Sequence, residues 1–268
     1  MKITSVRAYA IKIPPANAGA IEGNRNVEAY GDYTIAADAW TSIYSRNHET
    51  CLVRLETDDG LVGWGEGQAP VSGRATAAIV EDLCTPLLMG RDPFDVEYIW
   101  YRLYSAMRER GHVTGFYVDA LAGVDLALYD LLGKALGKPV YKLLGGNFRP
   151  DVPIYAGMGG TAPEPVAAQA LSLLDAGYRA LKLHLRVPNP DLLAIVAAVR
   201  EAVGPRVTLL VDVHGTRDVS SAIELGRGLE RMGVGWLEAP CQPEDIRGQA
   251  EIARALDMQV ATGEWLRT

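Results

Sequence analysis

The opening segment MKITSVRAYAIKI alternates apolar and polar positions and predicts a strand. CLVRLETDDGLVGWGEG predicts two short strands about the turn Asp58-Asp59-Gly60, a hairpin signal. Between them, PPANAGAIEGNRNVEAYGDY has no periodicity and is rich in Gly, Asn and Pro. It predicts a long mobile loop, the kind of segment that often serves as a lid. Residues 74–107 read as two helices broken at MGRDPFD. In VDALAGVDLALYDLLGKALGKPV, Leu121, Val124, Leu128, Leu131 and Ala135 recur at steps of three and four, one apolar helix face. Gly137 and Pro139 end that helix, and LLGGNFRPDVP reads as a linker.

From Val152 the pattern changes to short apolar strands alternating with helices. VPIYAG, RALKLHL, VTLLVDV, VGWLEAP and MQVATGE are the strands, and helices end near Gly177, Gly204 and Gly233. Such alternation predicts a parallel sheet covered by helices. The strand ends also keep time: Glu238 follows Asp212 by 26 residues and Glu264 follows Glu238 by 26. A near-constant period suits a barrel better than a doubly wound sheet, whose helices swap faces.

The 268 residues allow two ordinary domains or one large one. With 49% hydrophobic and 22% charged residues, a soluble globular protein is expected. A net charge of −7 argues against a broad nucleic-acid surface, which needs clustered positive charge. A small anionic substrate stays open, because a local cation or metal overrides net charge. Cys51, Cys84 and Cys241 are odd in number and far apart, with neither zinc-site spacing nor a disulfide framework. Arg7 and Lys12 stand where a signal peptide needs an apolar core, and no apolar run reaches the roughly 18 residues of a membrane helix. A cytoplasmic protein without membrane or nucleic-acid partners is expected.

Candidate chemistry gathers at the ends of four successive strands: Lys182 and His184, Asp212 and His214, Glu238, and Glu264. Active sites of parallel barrels lie at the C-terminal strand ends. Residues two apart on a strand share a face, so Lys182 with His184, and Asp212 with His214, can point inward together. Three converging carboxylates repel and raise one another's pKa unless a cation lies between them. Carboxylate oxygens with few other donors suit a hard divalent ion, so Mg²⁺ is the natural candidate. A single strand-end acid is more often a helix cap or a solvent-facing residue. Three at matched positions, with Lys182 upstream, favour the metal. Lys182 alone could snorkel to solvent, and His184 and His214 could be structural histidines. His48 and His112 stand in no pattern. GWGEG and GMGG lack the context of a phosphate loop.

The stretches ALAGVDLALYDLLGKALGKPVYKLLGG, ALKLH, LLVDVHG, WLEAP and ATGE, in this order and spacing, resemble the mandelate racemase and muconate lactonizing branch of the enolase superfamily. The resemblance implies an α/β protein. It implies an α+β capping domain over residues 1–145 and the first part of a TIM-type (β/α) barrel, about five of eight strands, over 146–268. It implies Mg²⁺ held by Asp212, Glu238 and Glu264. It also implies that the loop from about Pro15 to Tyr33 and the turn near Gly65 to Gly73 close over a small carboxylate substrate. The shared step of the family is removal of a proton α to a carboxylate, with a divalent ion and a lysine stabilising the enediolate.

Many racemases and cycloisomerases of the branch carry Lys-x-Lys where this chain has Lys182-x-His184. Asp212-x-His214 instead resembles acid-sugar dehydratases of the galactonate and mannonate type, in which the histidine protonates the departing β-hydroxyl. GEWLRT resembles the fifth strand end of those enzymes, which makes Trp265 and Arg267 pocket residues. The expected activity is Mg²⁺-dependent loss of water from a sugar acid to give a 2-keto-3-deoxy acid. Lys182 would stabilise the intermediate, His214 would be the acid, and His184 would assist or line the pocket. The alternatives are a 2-hydroxy-acid racemase or epimerase and a non-catalytic metal-binding module.

The 117 residues from Val152 to Thr268 hold five strands and fall short of the roughly 250 residues that an eight-stranded barrel takes. The family draws its α-proton base from later strands. The sequence is therefore expected to be a fragment of a longer chain. A second copy covering the open edge, or a repurposed module, are the alternatives. An exposed parallel edge is an aggregation hazard, and a homo-oligomer is expected.

Overall fold

The computed structural model describes residues 1–14, 27–37 and 41–267. The first half runs β1 (Ile3–Ile13), β2 (Val27–Tyr30), β3 (Tyr33–Ala37), β4 (Thr41–Ser45), β5 (His48–Thr57) and β6 (Val62–Gly67). Helices α1 (Gly73–Ile79), α2 (Thr85–Leu88), α3 (Val96–Ala106), α4 (Phe116–Leu136) and α5 (Val140–Leu143) follow. A π-turn over Val80–Cys84 joins α1 to α2.

Strands β1, β5 and β6 form an antiparallel sheet with β5 in the centre. Helix α4 lies against it, burying Leu121, Val124, Leu128 and Leu131 with Val53 and Leu55. Ala135, in the last turn, is exposed, and the helix stops at Gly137 in the left-handed region, φ 60°. The approach of helix to strand explains GWGEG. Gly63 and Gly65 face α4, and a Cβ on either would overlap the backbone carbonyls of Ala127 and Gly123. These glycines serve backbone packing.

Strands β2, β3 and β4 form a second antiparallel sheet. Residues 15–26 of the expected loop lie outside the described residues, but 27–33 contradict it by forming a hairpin. Tyr30 pairs with Tyr33 across Gly31-Asp32, with Gly31 at φ 58°. The turn residues that suggest a loop are the hairpin turn itself, and strands of four and five residues are too short to declare a period. Lys12 on β1 ties the two sheets. Its Nζ lies 2.9 Å from Asp32 and 3.2 Å from the buried Glu49 carboxylate. Glu49 also accepts from Ser45 Oγ at 2.6 Å and from the Gly73 N–H at 3.2 Å.

The second half alternates as β7 (Ala156–Gly159), α6 (Pro163–Asp175), β8 (Ala180–His184), α7 (Asn189–Val203), β9 (Thr208–Asp212), α8 (Val219–Glu230), β10 (Trp236–Glu238), α9 (Ile246–Ala255) and β11 (Gln259–Ala261). The five strands are parallel, each beside its neighbour in sequence, which is the winding of a partial barrel. A separate core of Leu, Ile and Val from these strands and helices holds this half together. Strand β7 starts four residues after Val152, and Val152 and Ile154 are 72% and 70% exposed. Among the described residues β7 pairs only with β8 and β11 only with β10, so the sheet is open at both edges. Cys51, Cys84 and Cys241 are buried free thiols. No helix among the described residues is long and apolar enough to cross a membrane.

Candidate metal and catalytic site

Parallel register brings the strand ends together. Residue His184 at the end of β8 pairs with Asp212 at the end of β9, which pairs with Glu238 at the end of β10. Lys182, one alternation before His184, sends its Nζ between two carboxylates, 3.1 Å from Asp212 Oδ2 and 2.6 Å from Glu238 Oε1. Asp212 also receives both imidazoles. His184 Nδ1 lies 3.3 Å from Oδ2, and His214 Nδ1 lies 3.0 Å from Oδ1. The two rings meet edge to face with centroids 6.0 Å apart. Thus Lys182, His184, Asp212, His214 and Glu238 form one contiguous cluster.

The turns after the strands are tightly held. His214 adopts φ 54° and Ala239 φ 43°, both left-handed. For a non-glycine residue that conformation costs roughly 1–2 kcal/mol. The His214 N–H donates to Asp212 Oδ1 at 2.9 Å, which offsets part of the cost. Gly215 N–H donates to Ala239 O at 2.6 Å, and Ala239 N–H to Ala261 O at 2.9 Å. The ladder therefore continues past the strands and fixes the angle at which His214 leaves β9. Across the sheet, GMGG gives room: a Cβ on Gly159 would stand 2.7 Å from the His184 carbonyl oxygen.

Burial opposes ionisation of Asp212, which is 1% exposed. The hydrogen bonds from His184, from the His214 ring and from the His214 N–H outweigh it and hold the carboxyl well below the usual carboxylate range. Burial likewise opposes the Lys182 ammonium, and the bonds to Glu238 and Asp212 overcome it and raise its pKa. The cluster is a cation bracketed by anions.

Glu264 stands on the exposed turn after β11. Together with Glu238, Ala261 and Trp265 it lines a cavity of about 150 Å³. Trp265 also lines a larger cavity of about 470 Å³ with His214, Arg186 and Tyr44. Arg267 reaches back to the first half: its Nε lies 2.6 Å from Asp119 Oδ1 on α4, and its Nη1 donates to Glu264 O at 2.8 Å.

The donor chemistry fits a divalent cation. The Lys182 ammonium already sits between Asp212 and Glu238, so the site holds positive charge there. His184, Asp212 and His214 offer one ligand atom each within 4.8 Å of one another. Carboxylates from Asp212, Glu238 and Glu264 would favour a hard ion such as Mg²⁺, whereas the two imidazoles with Asp212 would suit a softer one.

Sequence reasoning passed over Trp236, Tyr155, Arg186 and Tyr44. Trp236 lies two residues before Glu238 and so shares its face; its Nε1–H donates to Glu238 Oε2 at 3.0 Å. The Tyr155 ring meets Trp236 edge-on at 6.0 Å and lies 5.7 Å from Lys182 Nζ. Arg186 continues the alternation of Lys182 and His184, which is the signal that could have found it. Nothing in the sequence brings Tyr44 to the barrel.

Residues 32–145 match the family described as mandelate racemase / muconate lactonizing enzyme, N-terminal domain. Residues 165–268 match the enolase C-terminal domain-like family. A D-galactarolactone cycloisomerase from Agrobacterium fabrum is 36% identical over 219 residues, covering 80% of this chain and 57% of that protein. A D-galactonate dehydratase from Verminephrobacter eiseniae is 36% identical over 222 residues, with the same 80% and 57%. The solved structure of a racemase from Streptomyces coelicolor A3(2) with bound magnesium superposes with a TM-score of 0.82 at 29% identity, covering 98% of this chain and 70% of that one. The chain thus spans little more than half the length of these two curated relatives.

Proposed function

The chain belongs to the mandelate racemase and muconate lactonizing branch of the enolase superfamily, and from that premise we propose that it serves a magnesium-dependent dehydratase of a sugar acid. The observation that carries this reading is the clamp of Asp212 on His214, through the backbone N–H and through Nδ1. With Nδ1 tied to a carboxylate, Nε2 is the ring nitrogen left to deliver a proton into the cavity that His214 lines. Loss of the α-proton to a base leaves negative charge beside the substrate carboxylate, and the Lys182 ammonium offsets it. The Cβ–O bond then breaks, the departing hydroxyl takes the His214 proton and leaves as water, and the enol tautomerises to a 2-keto-3-deoxy acid. A divalent ion held by Asp212, Glu238 and Glu264 would add positive charge where the enediolate develops. His184 lines the same site from β8.

Incubation of the protein with Mg²⁺ and a panel of aldonates and aldarates tests the reading, with 2-keto acid as the product measured. The His214→Asn variant should lose about 10²-fold or more in rate, the contribution of a positioned general acid. Exchange of the α-proton with D₂O without 2-keto acid would support a racemase instead. Full dehydration by His214→Asn would remove the role assigned to that residue.

A further inference from the structure

The ends of β8 and β9 carry a donor set of a different kind from the strand-end carboxylates. His184, Asp212 and His214 each place a ligand atom within 4.8 Å of the others, and among the described residues no other set of three His, Cys, Asp or Glu side chains does so. The two imidazoles take one oxygen each of the carboxylate, His184 Nδ1 at 3.3 Å from Oδ2 and His214 Nδ1 at 3.0 Å from Oδ1. Asp212 is 1% exposed, whereas the His184 and His214 side chains are 45% and 28% exposed. The nitrogen side of the set is therefore open to solution. The set is also held in place: His214 leaves β9 at φ 54° with its N–H bound to Asp212 Oδ1.

Two imidazoles and one carboxylate are donors that late first-row divalent ions favour, whereas Mg²⁺ favours oxygen. Charge points the same way. Lys182 Nζ lies 3.1 Å from Asp212 Oδ2 and neutralises part of the carboxylate. That loss weakens a hard ion, held mainly by charge, more than an ion held through imidazole nitrogen. We propose that His184, Asp212 and His214 form a second metal site, selective for a zinc-like divalent ion, which shares Asp212 with the Mg²⁺ carboxylate set and so competes with Mg²⁺. His184 distinguishes the two sites, because it belongs to the nitrogen set alone. An ion on His214 also occupies the ring that delivers the proton, so zinc inhibits dehydration. That consequence rests on the dehydratase reading; the binding does not.

Calorimetric titration of the metal-stripped chain with ZnCl₂ and, separately, with MgCl₂ tests the site without substrate. Wild type should bind Zn²⁺ at least about tenfold more tightly than Mg²⁺, and excess Mg²⁺ should raise the apparent Kd for Zn²⁺. His184→Asn keeps a polar group near the Nδ1 position and removes the imidazole. It should weaken Zn²⁺ at least about tenfold, since loss of a ligand's partner alone commonly does as much, and change Mg²⁺ less than about threefold. In nitrogen-15 NMR, zinc should shift the imidazole resonances of His184 and His214 and leave those of His48 and His112 in place. Far-UV circular dichroism verifies that the variant is folded. Zn²⁺ bound no more tightly than Mg²⁺, unchanged Zn²⁺ affinity in His184→Asn, or an equal loss for both ions overturns the second site. Full dehydration with Zn²⁺ bound overturns the inhibition alone. Absence of 2-keto acid across the panel counts against the dehydratase reading and leaves the metal site standing.

Discussion

The indole N–H of Trp236 donates to Oε2 of Glu238 at 3.0 Å, while Oε1 of the same carboxylate takes the Lys182 ammonium at 2.6 Å. Both oxygens of Glu238 are therefore oriented by neighbours on the same face of the sheet. Partners that orient a metal-binding carboxylate commonly change metal affinity by about 10–100-fold when removed. Trp236→Phe keeps the ring and deletes only the donor. It should weaken Mg²⁺ binding by at least about tenfold with little change in melting temperature. Calorimetric titration with MgCl₂ alone, without substrate, reads this directly. Unchanged affinity would mean that Glu238 is placed by its strand alone or does not bind the ion.

Arg267 and Asp119 connect the turn after β11 to α4 across 148 positions of sequence. Both side chains are largely buried, at 16% and 11% exposure. Removing one partner leaves the other charge poorly solvated, and buried pairs broken in this way cost about 3–5 kcal/mol. A double-mutant cycle with Arg267→Ala, Asp119→Ala and the double variant should give a coupling of about 1–3 kcal/mol in urea unfolding. A coupling near zero would mean that this pair does not hold the turn after β11 against α4.

Gly65 lies where a Cβ would overlap the Gly123 carbonyl oxygen. Backbone cannot yield as a side-chain tip does. Gly65→Ala should destabilise by about 3 kcal/mol, at the upper end of overpacking effects. At Gly235 the nearest contact to an added Cβ is the movable Leu210 side chain at 3.2 Å, and Gly235→Ala should cost less than about 1 kcal/mol. Thermal melts of the two variants compare them. Equal melting temperatures would show that α4 can shift away from β6.

Glu49 supplies a pH dependence. Burial opposes its ionisation, but the bonds from Ser45, from the Gly73 N–H and from Lys12 prevail and lower its pKa. A carboxyl depressed in the folded state stabilises fully above its unfolded value of about 4.3, and that stabilisation is lost as pH falls through the folded value. Lys12 stays charged over this range, with its pKa raised chiefly by Asp32. The stability gap between wild type and Glu49→Gln should be about 1–2 kcal/mol near pH 7 and should shrink toward pH 3. A gap that is constant from pH 7 to pH 3 would mean that the Glu49 charge does not contribute.

The strands β8 and β9 were legible because each is apolar, short and followed by a helix of ordinary length. Leu181–Leu183–Leu185 and Leu209–Val211–Val213 are buried on one face, and the polar residues two apart point to the other. The β2–β3 hairpin was not legible. Its four- and five-residue strands carry too little pattern, and Gly31-Asp32 reads the same in a loop as in a turn. The strand-end carboxylates were visible as a rhythm of 26 residues, but their partners were not. That Lys182 bridges Asp212 and Glu238 depends on parallel register, which sets His184, Asp212 and Glu238 side by side.

Sequence motifs by themselves carried the family resemblance, and sequence by itself determined the strand–helix alternation and the places of Lys182, His184, Asp212, His214 and Glu238 at strand ends. The alternation and those places follow from local periodicity, which is a property of a few consecutive residues. Tertiary structure alone decided that Tyr44 meets Arg186, that Arg267 meets Asp119, and that GWGEG lets α4 lie directly on β6. These are contacts between residues 52 to 148 positions apart, where no short-range rule of spacing applies and only the packing of whole elements brings the groups together.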